Sequence, residues 1–146
     1  MIKDSMLTLR LGLGLVCPAV AGDSLPTLKR EALSNELMWT LETELMGHRE
    51  SNGAVLECLA ESIQSLLLEA GMEPTVESLV RVLTTPCEAD TPGAGIKELL
   101  MPRAQSISVS KDASFAVIAT PVYGGKKSLQ IFRDTAHGIS VHRMKR

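Results

Sequence analysis

Leucine recurs at every second position from Leu7 to Leu15, with Thr8, Arg10, Gly12 and Gly14 between. A period of two marks a strand with one buried face. The same stretch has features of a secretory signal: the apolar run "LGLGLVCPAV" and then Ala19-Val20-Ala21 before Gly22. Asp4 in the head, two glycines and a proline in the run favour the strand. An N-terminal strand is therefore expected, with residues 1–21 as a signal peptide the alternative.

The period then lengthens. Leu33, Leu37, Leu41 and Leu45 fall four apart, with Leu28, Met38 and Trp39 beside them. This predicts a helix of roughly 20 residues, capped by Asp23 or Ser24, with Pro26 in its first turn and Gly47 at its end. A second helix fits "GAVLECLAESIQSLLLEA". Its buried face would hold Val55, Leu56, Leu59, Ile63, Leu66, Leu67 and Ala70, between Asn52 as cap and Gly71 as stop. A third fits "PTVESLVRVLTT", with Thr75 as cap, Val76, Leu79, Val80 and Leu83 facing inward, and Pro86 ending it. "PCEADTPGAG" has the composition of a loop, and "IKELLM" fits either a helical turn or a short strand.

From Ala104 the period returns to two. "SISVS", "SFAVIAT", "KSLQIFR" and "ISVHRM" alternate or run apolar, joined by the turn-rich "KDA", "PVYGGK" and "DTAHG". The expected fold is a single α+β domain over 1–146. It is a two-layer sandwich with an N-terminal strand, a three-helix layer (about 24–85) and a C-terminal antiparallel β-meander (about 104–146).

Composition adds limits. A length of 146 residues fits one domain. With one Trp, one Tyr and two Phe, the core must be aliphatic and base-stacking platforms are few. Net charge is −2, but unevenly placed: Lys126 to Arg146 holds six bases and one acid, Asp134. Cys17, Cys58 and Cys87 are odd in number and form no CxxC pair. They suit a reducing cytoplasm better than a disulfide framework or a structural zinc. No apolar run reaches the ~18 residues of a membrane span.

Candidate chemistry is thin. "ESIQSLLLEAGMEPTVESLVRVL" has the shape of a helix-turn-helix, and "GMEPTVESLVRVL" resembles the start of some plasmid-encoded regulators of that class. The resemblance implies a DNA-reading second helix. Ser24 to Thr85 carries ten acids and four bases, however, a balance that repels phosphate. His48, His137 and His142 read as surface histidines, since His137, His142 and Asp134 supply too few converging ligands for a catalytic metal. Cys58 reads as a small core residue, and Cys87 as an exposed loop thiol without an activating environment. "YGGKK" is a hairpin turn and not a phosphate cradle, because a strand and not a helix follows it.

These observations point to a non-enzymatic protein-interaction or accessory module, without cofactor, metal or membrane span. Its partner would be another protein or a second copy of itself, as in a homodimer. The expected binding surface is an acidic helical face of Glu36, Glu42, Glu44 and Glu50. The alternative is a nucleic-acid-binding regulator using Lys126, Lys127, Arg133, Arg143, Lys145 and Arg146.

Overall fold

The computed structural model describes residues 27–48, 54–101, 103–121 and 123–145. The alternating leucines of 7–15, Cys17, the caps expected at Asp23, Ser24 and Asn52, and the candidates Glu50 and Arg146 lie outside them. In chain order the elements are β1 (Lys29–Ala32), α1 (Asn35–His48), β2 (Ala54–Val55), α2 (Glu57–Glu69), α3 (Val76–Leu83) and α4 (Pro92–Leu100). Then come β3 (Ser106–Val109), β4 (Phe115–Pro121), β5 (Lys127–Thr135) and β6 (Gly138–Lys145). The class is α+β, as expected: a strand, then helices, then an antiparallel meander of β3 to β6.

β1 joins the meander parallel to β3, and β2 joins antiparallel to β6. The described sheet is mixed and six-stranded, in the order β1-β3-β4-β5-β6-β2. Both of its faces are apolar. β4 shows this residue by residue: Ala116 and Ile118 belong to one buried cluster, Phe115 and Val117 to another. A strand covered on two sides needs apolar residues throughout, which explains the unbroken "FAVIA".

The larger cluster unites α2, α3 and α4 with the sheet. Ile63, Leu67, Leu79, Leu83 and Ile96 are fully buried there with Ile107, Ile118 and Phe132. The smaller cluster lies under α1, where Leu41 and Leu45 meet Phe115, Leu129, Ile131 and Met144. The three helices expected over about 24–85 therefore do not share one layer: α2 and α3, joined by α4, cover one face of the sheet, and α1 covers the reverse face as a third layer.

The first predicted helix is corrected by its own capping chemistry. Ser34 accepts a hydrogen bond from the Leu37 N–H on Oγ at 3.1 Å, so α1 starts after it. The four residues before Leu33 form β1 instead, and all four are exposed. Leu28 and Leu33, flanking β1, go to opposite cores, Leu28 to the large and Leu33 to the small. The second predicted helix loses its first residues to β2, because Ala54 and Val55 pair with Arg143 and His142. Leu56 then donates to the Val141 carbonyl at 3.0 Å, and α2 follows. Ala70, expected on the buried face, is the exposed C-cap residue.

α2 ends as its glycine predicts. Gly71 takes φ +77°, and Met72 and Gly71 donate to the carbonyls of Leu67 and Leu68. These are the two bonds of a Schellman motif. α3 keeps its predicted cap: Thr75 Oγ1 accepts from the Ser78 N–H at 3.2 Å. Asp134, at the end of β5, accepts from the Val76 N–H at 2.8 Å and ties the same helix start to the sheet. α4 begins inside the expected loop. Thr91 Oγ1 accepts from the Ala94 N–H, and Pro92 occupies the first helical position, where no N–H is needed. "IKELL" is therefore the end of a helix and not a strand. Lys97, on its inner side, is buried and donates Nζ to the Thr85 carbonyl at 2.7 Å.

Candidate functional site

α1 is the element that the core alone does not explain. Its sequence, "NELMWTLETELMGH", has apolar residues on both sides. One side, Leu41 and Leu45 with Met38 beside them, packs on the sheet. The other carries Trp39 and Met46, which are 67% and 77% exposed. Residues seven apart on a helix share a face, so these two stand in one outward row with exposed Thr43 between them. The Thr43 hydroxyl donates to the Trp39 carbonyl at 2.8 Å. Among the described residues five large apolar side chains are exposed, and three of them, Leu37, Trp39 and Met46, belong to α1.

The acids distribute around this helix. Glu36 is exposed in the first turn, one turn before Trp39; Glu42 and Glu44 are half-buried. Glu42 reaches the sheet, where its Oε2 lies 3.8 Å from Arg133 Nη1. α1 holds no Lys or Arg between Asn35 and His48. Its outer face is therefore apolar with an acidic rim.

Beneath the Glu42 end lies a polar patch. Arg133 is in register with Ser140, and Ile131 with His142. Arg133 Nε, Ser140 Oγ and His142 Nδ1 are buried without a hydrogen-bond partner in the protein. Burial holds the His142 imidazole below its ordinary pKa of 6.5, and the nearby Arg133 charge adds to the effect. His142 thus departs from the expectation of a surface histidine: it is 9% exposed.

The three groups considered for acid–base or metal chemistry are dispersed. His137 is exposed in the β5–β6 turn, Asp134 caps α3, and His142 faces α1. Among the described residues no three His, Cys, Asp or Glu side chains gather as metal ligands, and no helix is long and apolar enough to cross a membrane. Cys58 corrects a second expectation, being exposed and not in the core. It lines an open groove of about 640 Å³ between α2 and α4, with Glu61, Ser65 and Glu69. Cys87 is half-buried in its loop.

The basic candidates divide between locations. Lys126, Lys127, Arg143 and Lys145 are exposed toward one end of β5 and β6, where Ser128 pairs with Lys145 and Gln130 with Arg143. Arg133 lies away from them, half-buried against Glu42. The helix-turn-helix shape exists as α2, Gly71 and α3, but α3 is a core helix. Val76, Ser78, Leu79, Val80 and Leu83 are buried, and exposed Glu77 and Arg81 pair with each other at 3.8 Å. The exposed side of α3 thus offers one acid and one base and no excess of positive charge to meet phosphates.

What the residues missed by pattern share is α1. Trp39 and Met46 sit beside the leucine stripe in sequence, and the packing of α1 on the sheet separates the two rows. Compared with protein-family models, curated proteins and solved structures, the chain matches none.

Proposed function

We propose that this protein is a non-enzymatic interaction module that binds another protein through the outer face of α1. The observation that carries this reading is the exposed row of Trp39 and Met46 on a helix whose opposite row is buried. Large exposed apolar groups rimmed by charge are the composition of a binding surface. Trp in particular supplies much contact area at little entropic cost. The rim here is acidic, through Glu36 and Glu44, so a partner surface carrying Lys or Arg around an apolar centre complements it. The free thiols of Cys58 and Cys87 suit a reducing compartment such as the cytoplasm.

A photo-crosslinking residue at position 43, between Trp39 and Met46, tests the reading in cells, with exposed position 61 of α2 as control. A discrete adduct at 43 that weakens in a Glu36→Lys, Glu44→Lys variant supports it. Adducts no different from those at 61 overturn it, and an adduct with a second copy of the chain identifies the partner as a homodimer.

A second reading, nucleic-acid binding, draws on the exposed cations Lys126, Lys127, Arg143 and Lys145 near one end of the sheet. Phosphate binding through them would weaken steeply with salt. Fluorescence anisotropy with a mixed-sequence RNA and DNA at low salt decides it: no rise in anisotropy removes the reading.

A further inference from the structure

The sheet face under α1 is not filled along its whole length. Near the C-terminal half of the helix, large residues meet: Leu41 and Leu45 pack on Phe115, Ile131 and Met144. Near its N-terminal half the sheet offers small residues, Ser106 and Ser108 of β3 and Ala119 of β4. α1 spans both regions as one rigid rod, so the small residues leave space beneath Leu33 and Leu37. The result is a half-open cleft of about 310 Å³ between helix and sheet. That volume lies at the lower end of the range for small-molecule sites, about 300 to 1,000 Å³.

The chemistry of its lining is uneven. The walls are aliphatic, with Val117 and Leu129 opposite the helical leucines and no aromatic ring among them. The polar groups are the two serine hydroxyls and the Lys127 ammonium, and no acid lines the cleft. Lys127 begins β5 and is exposed, which places its charge at the mouth. Lys29 of β1, also exposed, is in register with Ser106 and adds a second cation on that side. Glu31, in register with Ser108, is exposed and outside the lining.

We propose that this cleft binds a small amphipathic anion: an unbranched aliphatic chain held by the leucine walls, with a carboxylate at Lys127. An aliphatic wall without flat rings suits a flexible chain, and the burial of each methylene contributes about 0.8 kcal/mol. A carboxylate at the mouth keeps part of its hydration while gaining the lysine charge, so the head orients the ligand more than it holds it. This site is independent of the outer face of α1, and either can fail without the other.

Calorimetric titration of the full chain with decanoate and with decan-1-ol, below the concentrations at which they aggregate, tests the proposal. Decanoate is expected to bind saturably at one site, and decan-1-ol about fivefold more weakly. Lys127→Gln should bring decanoate down to the level of the alcohol and leave the alcohol unchanged. Ser108→Leu and Ala119→Leu, which each fill the floor, should weaken both ligands by about tenfold or more. Circular dichroism melts identify any filling variant that has not folded. The proposal is overturned if decanoate shows no saturable binding, or if a folded filling variant binds it as the parent does. Lys127→Gln changes an exposed side chain and keeps the test decisive should both filling variants unfold: undiminished decanoate affinity in that variant also overturns the proposal.

Discussion

The two faces of one sheet are built to different standards. Under α2, α3 and α4 the side chains interlock: Ile63, Leu67, Leu79 and Leu83 have no exposed surface. Under α1 the packing is interrupted twice, by a cleft at Ser106 and Ser108 and by unpartnered polar atoms at Arg133, Ser140 and His142. The covering helix adds its own irregularity, since its outer row is apolar. The first face has the economy of a structure selected to stay folded. The second carries more of the features that cost stability: among the described residues, the cleft, three of the four buried polar side-chain atoms without a partner, and three of the five exposed large apolar side chains. Such costs concentrate where a protein binds something, and the functional proposals accordingly lie on the α1 side.

The contrast breaks most directly by truncation. Ile63→Ala removes a fully buried side chain from the large core and should cost about 2–5 kcal/mol. Leu37→Ala on α1 touches a partly exposed side chain at the edge of the cleft and should cost about 1 kcal/mol or less. Urea unfolding of the two variants measures the difference. Similar losses would mean that the second face is as tightly held as the first.

Next in size is the tie between the meander and α3. Asp134→Ala leaves the Val76 N–H without its carboxylate acceptor, and about 1 kcal/mol should be lost at neutral pH. Asp134→Asn keeps an acceptor oxygen and should recover much of the loss. The readout is again the urea midpoint. An Asp134→Ala variant as stable as the parent would show that water replaces this cap freely.

How far the sequence revealed this arrangement depends on whether the information was local. The meander was legible because alternation over five or more residues has one structural meaning, and Ile107, Val109, Ile139 and Val141 all face the large core as their spacing predicts. Thr75 and Gly71 were legible because a cap and a left-handed stop are chemical properties of single residues. β1 was hidden: Leu28 and Leu33 fit a helical stripe, and their separation onto opposite faces is decided by the parallel partner β3, far along the chain. Ser34 was the local signal that α1 begins later. α4 was masked by the glycines of "TPGAGIKELL", although Thr91-Pro92 is a helix start. The candidate surfaces were least legible. Glu36, Glu42 and Glu44 were visible as acids on one helix, but the outward position of Trp39 and the cleft floor exist only once helix and sheet meet.

The buried histidine gives a smaller, pH-dependent contrast between the faces. His142 is held below 6.5 when folded, by burial first and by Arg133 second. As pH falls through 6.5 the unfolded chain takes a proton that the folded chain refuses, so stability falls. The decline stops only below the depressed folded value. A His142→Gln variant should lose this part of the pH dependence while still resembling the parent above pH 7. Asp112 acts in a separate window. Hydrogen bonds from Ser114 and Ser110 hold its carboxyl below 3.8, so its contribution disappears only in stronger acid. Urea midpoints at a series of pH values separate the two, and an unchanged slope in His142→Gln would assign the pH response elsewhere.

The smallest expected effect is the one on which the functional reading turns. Trp39→Ser replaces the largest exposed apolar side chain of α1, whose backbone carbonyl already receives the Thr43 hydroxyl. An exposed position away from the core should change stability by no more than about 0.5 kcal/mol. The photo-crosslinks expected from a neighbouring outward position such as 43 should nevertheless be lost, because interface energy concentrates in Trp. Stability and binding therefore move apart in this one variant. A loss of stability comparable to that of Ile63→Ala would place Trp39 in a core of the chain itself, and the apolar row of α1 would then be explained by folding alone.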